Sequence, residues 1–515
     1  MRKTVLWTLL LLICGVCQAE DVTICYKGTS VKVKQSTKDS VNVMVSGTCV
    51  LVESMFTTYR LTIRLTGKSK DGQLVLKTAG KATVKLDGLT LTSKEGAPLW
   101  LKNKKKVNVV AVKGTKNTLE IEACQDTANH KAAVIWAKDK LLLSGKGTLN
   151  VLAVGDGCRG IKSKKDITIE DLTLNVVTSG NNLGEKPFEM GGFPDFANDS
   201  TFQGHFPPFP GDSIRQGKFP PFPNDSTTRQ GHFPPFPNDS SKRGAFPLPN
   251  FGGAFPDAAN GMPDFGGMPP EGMDSIGGFG GKHKYIASAK GITSKGKVTI
   301  NSGNVTVQTS TPGAEGIEGK TGVAFNGGKV EITAADDAVN ANGIIEFNGS
   351  DVIARSLQND AVDANPDGGG FPPFGMETQE EIEPAIIVTA GTVYVWSQIG
   401  SPEEGLDSDF APLQIEGGNI FTVGGGMGEE PSVPTQATAK QPTVLLSRLK
   451  VSANEKIGIY DAEGKLLHAL SIPFAMRQSA SIISFPFFKI GETYAVKTKD
   501  YERTFTIEAP YSIVR

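Results

Sequence analysis

A short unit that returns at a nearly fixed interval constrains this chain more than any other feature. Each copy sets a small residue before a branched apolar one, then a turn, then two short alternating stretches. AKGITSKGKVTINSGNVTVQT, AEGIEGKTGVAFNGGKVEITA and DDAVNANGIIEFNGSDVIARS are the clearest examples. The branched anchors are Ile161, Ile292, Ile317, Val339 and Val362, with a weaker sixth at Leu406. Uninterrupted neighbours lie 25, 22 and 23 residues apart. Strands this short are not stable as isolated hairpins. Stacked copy on copy, each pairs with its equivalents and the anchors form one apolar ladder. The expectation is an all-β chain folded as a right-handed parallel β-helix, an open solenoid of about 22–25 residues per coil. A leucine-rich repeat has a similar period but needs Leu-x-x-Leu-x-Leu spacing, which is absent. The 60 glycines, well above the usual share of roughly 7%, fit this reading. Gly303, Gly328, Gly349, Gly391 and Gly418 fall on the same turn of successive units, where a positive φ is expected.

Proline follows a different logic. Between Lys186 and Gly281 lie 17 of the 31 prolines and 15 of the 27 phenylalanines. Units such as GHFPPFPGDS and GHFPPFPNDS repeat there, opening at Phe193, Phe206, Phe219, Phe233 and Phe246. Such a stretch lacks the aliphatic pattern of a core and cannot offset its ordering entropy. It reads as a disordered insert, whose phenylalanines offer contact points to a protein partner. The expected organisation is a signal peptide (1–19), an N-terminal β cap (20–66), first coils (67–185), the insert (186–281), later coils (282–430), a linker (431–443) and a C-terminal β module or cap (444–515).

Arg2 and Lys3, the apolar run Val5 to Val16 and the small Ala19 form an export signal, which places the chain in the periplasm, at the cell surface or outside the cell. The run is shorter than the about twenty residues a spanning helix needs, and no later segment qualifies. Cleavage leaves Cys25, Cys49, Cys124 and Cys158, which permit three pairings. Cys25 with Cys49, flanking a hairpin, is the favoured pair. There is no C-x-x-C, and the five histidines are scattered, which argues against a zinc site.

Formal net charge is -1, so nothing in bulk electrostatics points to nucleic acid. The sum hides an asymmetry: residues 20–150 carry an excess of about eleven Lys and Arg, and 283–430 an excess of about fourteen Asp and Glu. The acidic residues keep register with the anchors. Glu315, Asp337, Asp360 and Glu404 precede them, with Asp336, Asn359 and Glu403 one position earlier. Glu318, Asn340, Asp363 and Asp407 follow them. Stacked strands repeat at roughly 4.8 Å, so these residues form a ladder of carboxylates and amides that repel one another unless neutralised. A hard cation with six to eight oxygen ligands answers that need, and Ca²⁺ fits an all-oxygen set better than zinc. Solvated turn residues are the competing reading. Trp100, Trp136 and Trp396 are candidates for stacking on sugar rings or for the core. Lys295, Lys320 and Arg355 are the candidate bases if the chain is a lyase, although none sits in a catalytic signature.

The D-[GA]-[IV]-x-[AS] turns, the GG-x-[VI]-x-[IV] strands and the block DGLTLTSKEGAPLWLKNKKKVNVVAVKGTKNTLEI resemble the secreted bacterial carbohydrate-binding β-helix proteins. These are the cellulose- and acidic-sugar-binding family typified in clostridia and widespread in gut Bacteroidetes. The resemblance runs from about 70 to 430, apart from the insert. It implies a pectate-lyase-like fold, Ca²⁺, and binding of polygalacturonate or cellulose without established lyase activity. An acidic glycan would approach either the cation ladder or the Lys-rich stretch Lys102 to Lys106. The alternatives are a Ca²⁺-dependent polysaccharide lyase and an adhesin or surface structural protein that binds through its insert.

Overall fold

The structure, a computed structural model, describes residues 20–36, 41–58, 60–123, 133–185, 285–365, 385–408, 411–425 and 431–515. The chain divides into two units, Met1–Phe188 with Glu271–Arg515, and Glu189–Pro270. The second unit, the whole 186–281 insert and the expected export signal (1–19) lie outside the described residues. No helix among the described residues is long and apolar enough to cross a membrane.

Alternation of apolar and polar residues sets the strands. In Lys329–Ala334 (KVEITA), Val330 and Ile332 point inward while Lys329 and Glu331 are exposed. The first sheet has 22 strands and the second ten. In the first, parallel pairing starts at Ala82–Ser93 and passes through Val107–Ala111, Leu141–Gly145, Ile167–Glu170, Val298–Ile300 and Gly322–Phe325 to Ile344–Ser356. It returns through Lys329–Ala334, Asn304–Thr309, Thr173–Thr178, Thr148–Ala153 and Lys116–Ile121 to Ala82–Ser93. These strands close a 12-strand parallel barrel, to which the sheet adds further strands.

The closure corrects the expected open right-handed β-helix. The strands Ala82–Ser93 and Ile344–Ser356 each run through a bend without breaking, so one half of each pairs in the outgoing series and the other half in the returning one. Gly88 (φ 68°) and Gly349 (φ 145°) make the bends, in a backbone region that costs a side-chain-bearing residue strain. A sequence period shows which residues are equivalent, but not whether hydrogen bonding continues around a corner.

The second sheet runs from Asn42–Ser46 through Cys49–Ser54, Gln73–Thr78, Leu99–Leu101, Ala133–Ala137, Arg159–Ser163, Ile292–Ser294, Ile317–Gly319 and Val339–Ala341 to Val362–Ala364. Ile161, Ile292, Ile317, Val339 and Val362 pair in succession. At the earlier position Ile135 pairs opposite Leu99. One apolar core draws on both sheets, with Val109, Leu143 and Ile300 from the first and Ile135, Ile161 and Ile317 from the second. Phe325 and Phe347 stack in it with ring centroids 5.0 Å apart.

Beyond the barrel, Pro434–Ala439 pairs with Leu413–Ile415, so the 431–443 stretch contains a strand. Lys456–Asp461, Leu466–Ser471, Thr493–Lys497 and Glu502–Thr506 form a four-stranded antiparallel sheet over a second apolar cluster. Leu183–Glu185 pairs with Tyr285–Ala287 across the ends of the insert. Cys25 and Cys49 are free, which corrects the favoured pair. Cys25 lies in the first sheet opposite Thr66, whereas Cys49 opens a strand of the second opposite Gln73. Cys158 is disulfide-bonded.

Candidate functional site

The ten-stranded sheet places the chemistry. Its anchors point into the core, so the residues after them point to the opposite face. One column on that face runs Val75, Trp100, Trp136, Lys162, Thr293, Glu318, Asn340 and Asp363 in direct register. Asp363 then bridges to Asp407. Apolar and aromatic residues occupy one end and oxygen ligands the other.

At the acidic end, residues two and three positions before the anchors join the column from the side. Glu315, Asp336 and Asp337 bring three ligand oxygens within 4.8 Å of one another, and Asp337, Asp360 and Asp363 do the same. Asp337 belongs to both groups. Among the five, Asp337, Asp360 and Asp363 are at most 7% exposed. Asn340 Nδ2 donates to Asp337 Oδ2 and to Asp363 Oδ2, each at 3.1 Å, and Asn359 Nδ2 donates to Asp336 Oδ1 at 2.9 Å. The two amides thus donate to carboxylates of the cluster. The backbone NH of Glu404 donates to Asp360 Oδ1 at 2.5 Å. Burial, with Asp407, Asp363 and Glu403 adding to it, pushes the Asp360 carboxyl well above its usual range.

The remaining sequence candidates sit around this core. Lys290 Nζ lies 2.8 Å from Glu315 and 3.3 Å from Glu318, and Lys320 lies 2.9 Å from Glu318. Burial, with Glu318 next, pushes Glu315 up to about 7. Burial would raise Glu318 too, yet Lys290, Lys320 and Arg159 hold it down at about 2. The pair therefore divides its charge, with Glu318 ionised between two ammonium groups and Glu315 the readier to hold a proton. Glu404 accepts from the Ser432 backbone NH at 2.8 Å, and Asp407 accepts from Ser432 Oγ at 3.2 Å. Among the described residues, Glu318, Glu403, Glu404 and Asp407 join neither three-carboxylate group.

An all-oxygen, largely buried set with five carboxylates fits a hard cation, and nothing in it suits a soft one. Asp337, with Glu315, Asp336, Asp360 and Asp363, would hold it.

Of the tryptophans, Trp396 is 4% exposed and packs edge-on against Phe474 in the C-terminal cluster, so it is a core residue. Trp100 and Trp136 are register neighbours on the outward face, where Trp136 is 6% exposed and packs with Ala97 and Ala133 while Trp100 is half-buried over them. Lys102 Nζ stands 3.5 Å above the Trp100 ring, and Lys164 stands 6.0 Å from that of Trp136. Arg355 belongs to the first sheet, where it hydrogen-bonds Gln398 and lies over Phe474, away from the carboxylates. Lys295 is exposed on the outward face.

Lys290 and Lys162 had not stood out in the sequence. Lys162 is buried enough, with Arg159 beside it, to bring its amine down to about 7. Each lies at a position equivalent to one already singled out, two before and one after an anchor, and that register was the available signal.

Residues 46–186 and 276–364 match a family model described as carbohydrate-binding domain-containing protein. Both the tryptophan pair and the carboxylate groups fall in these segments. They resemble known carbohydrate-binding domains. A carbohydrate-binding domain-containing protein of Acetivibrio thermocellus is 29% identical over 118 residues, which are 21% of this chain and 41% of that relative's length. Among solved structures, the polysaccharide lyase-like protein from C. thermocellum, determined as a gadolinium derivative, aligns over 67% of this chain and 94% of its own. It does so at 17% identity with a TM-score of 0.37.

Proposed function

We propose that this chain is a secreted, Ca²⁺-stabilised protein that binds polysaccharide on the outward face of its ten-stranded sheet without cleaving it. The carrying observation is the single column that sets Trp100 and Trp136 in register with a buried carboxylate cluster. The half-buried Trp100 ring suits the apolar face of a sugar, and the carboxylates are neutralised by a bound cation. The match of both segments to carbohydrate-binding domains supports the class of ligand. Cellulose and polygalacturonate are the first polymers to test. A glycan array of the full chain, with and without Ca²⁺, is expected to show retention of at least one polysaccharide. Retention of none overturns the reading.

Lys162 favours a second reading. A lysine whose amine falls to about 7 is uncharged in part at neutral pH and suited to abstract the proton alpha to a uronate carboxylate. The chain would then be a Ca²⁺-dependent lyase. Following the absorbance of unsaturated product from polygalacturonate separates the two, because Ca²⁺-dependent turnover abolished by Lys162→Met excludes a pure binder.

A further inference from the structure

The same face carries a second column that the carbohydrate-binding reading leaves unused. Three positions past the core residues Leu74, Leu99, Ile135, Ile161, Ile292 and Ile317 stand Lys77, Lys102, Lys138, Lys164, Lys295 and Lys320. Backbone bonds keep five of them in step. The NH of Lys102 donates to Leu76 O at 2.7 Å, Lys138 to Leu101 O at 2.9 Å, Lys164 to Ala137 O at 3.0 Å, Lys295 to Ser163 O at 3.1 Å and Lys320 to Ser294 O at 3.0 Å. The column is thus a line of lysine backbone positions one strand spacing apart, about 4.8 Å. Lys77 is paired with Glu53 and Lys320 with Glu318, while Lys138, Lys164 and Lys295 are exposed.

At the end of the column opposite the carboxylates, Lys77, Lys102, Lys104 and Lys138 line a cleft of about 690 Å³. Glu53 is the one acidic side chain among its described lining residues. Met55 and Phe56 also line it and are 79% and 50% exposed. Large apolar side chains that stay exposed beside a row of like charges are costly in the free protein, and a ligand that is anionic along one edge and apolar across its ring faces relieves both.

We infer that the cleft and the lysine column form a track for one strand of an anionic polysaccharide, with Phe56 and Met55 against the sugar faces and the lysines pairing with a regular series of carboxylates or sulfates. This inference rests on the carbohydrate-binding reading and adds the place on the face where an acidic ligand is held. It separates the polymer site from the cation site, since the anionic strand is held by the lysines and needs no metal bridge.

The test measures equilibrium binding of the full chain to polygalacturonate, to chondroitin sulfate and to neutral cellohexaose at low and high salt. Lys102→Gln, Lys138→Gln, Lys164→Gln and Lys295→Gln are combined in one variant, and the corresponding four Lys→Arg changes in another. The track predicts salt-sensitive binding of at least one anionic polymer, the carboxylated and sulfated arms identifying which. Affinity should fall at least ten-fold in the Gln variant and be retained in the Arg variant, with the melting temperature of both close to that of the parent. Undiminished affinity in the Gln variant overturns the track. Binding of cellohexaose alone overturns it while leaving the carbohydrate-binding reading in place, and binding of no glycan by the parent chain overturns both.

Discussion

Asp337 sits where the two carboxylate groups meet, so more hangs on it than on any other candidate ligand. Asp337→Ala is expected to remove most of the bound Ca²⁺ measured by equilibrium dialysis, and an unchanged metal content would remove the cluster from contention. The acids also make stability depend on pH. Asp360 and Glu315 hold protons more readily folded than unfolded, so in chelator their contribution is full below the ordinary carboxylate range and is lost as pH rises, for Glu315 through about 7. Glu318 runs the other way: its contribution is present above the ordinary range and is lost as pH falls toward about 2. Between about pH 5 and about pH 8 the first two dominate. The chelated protein should therefore melt higher at the lower pH, and added Ca²⁺ should narrow or reverse the difference because metal binding favours the deprotonated carboxylates. A higher melting temperature at the alkaline end in chelator would refute this assignment.

At the scale of strands, the stacking has a measurable cost of disruption. Phe325→Ala removes a fully buried ring stacked on Phe347 and should lower unfolding free energy by about 3–5 kcal/mol in a denaturant titration; a loss below about 1 kcal/mol would mean the ring is not in the core. Gly328 has φ 83°, and a Cβ there would meet Gly303 O at 2.4 Å. Gly328→Ala thus strains the turn and clashes with the backbone next to it. All five glycines expected at this turn have positive φ, and the anchors pair in the expected register, because both depend on equivalence between neighbouring units, which a period reveals. Closure of the first sheet was not legible, since it depends on hydrogen bonds carried through the bends at Gly88 and Gly349. The free state of Cys25 and Cys49 was not legible either, because proximity in sequence does not say that the two strands join different sheets. In the site, the acidic residues were visible from their register. Pairing of Glu318 with Lys290 and Lys320 was not, because Lys290 lies one unit away from both glutamates and pairs across the stack.

Across the ten-stranded sheet, opposite charges gather at the two ends of one face. The cleft occupies the end near Leu74 to Ile135, the lysine column runs from there as far as Ile317, and the carboxylate groups lie at the end near Ile317 to Val362. Stacking converts a difference between the first and second parts of the sequence into a gradient along the sheet, and the tryptophans lie at its basic end. Matching segments of known carbohydrate-binding domains cover both ends. The central claim is that this outward face takes up glycan. The direct measurement is the affinity of full-length protein and of its Trp100→Ala variant for the polysaccharide that the parent retains. Roughly ten-fold weaker binding, about 1.4 kcal/mol, with an unchanged melting temperature is the expected result, and equal affinity in the two proteins would contradict it.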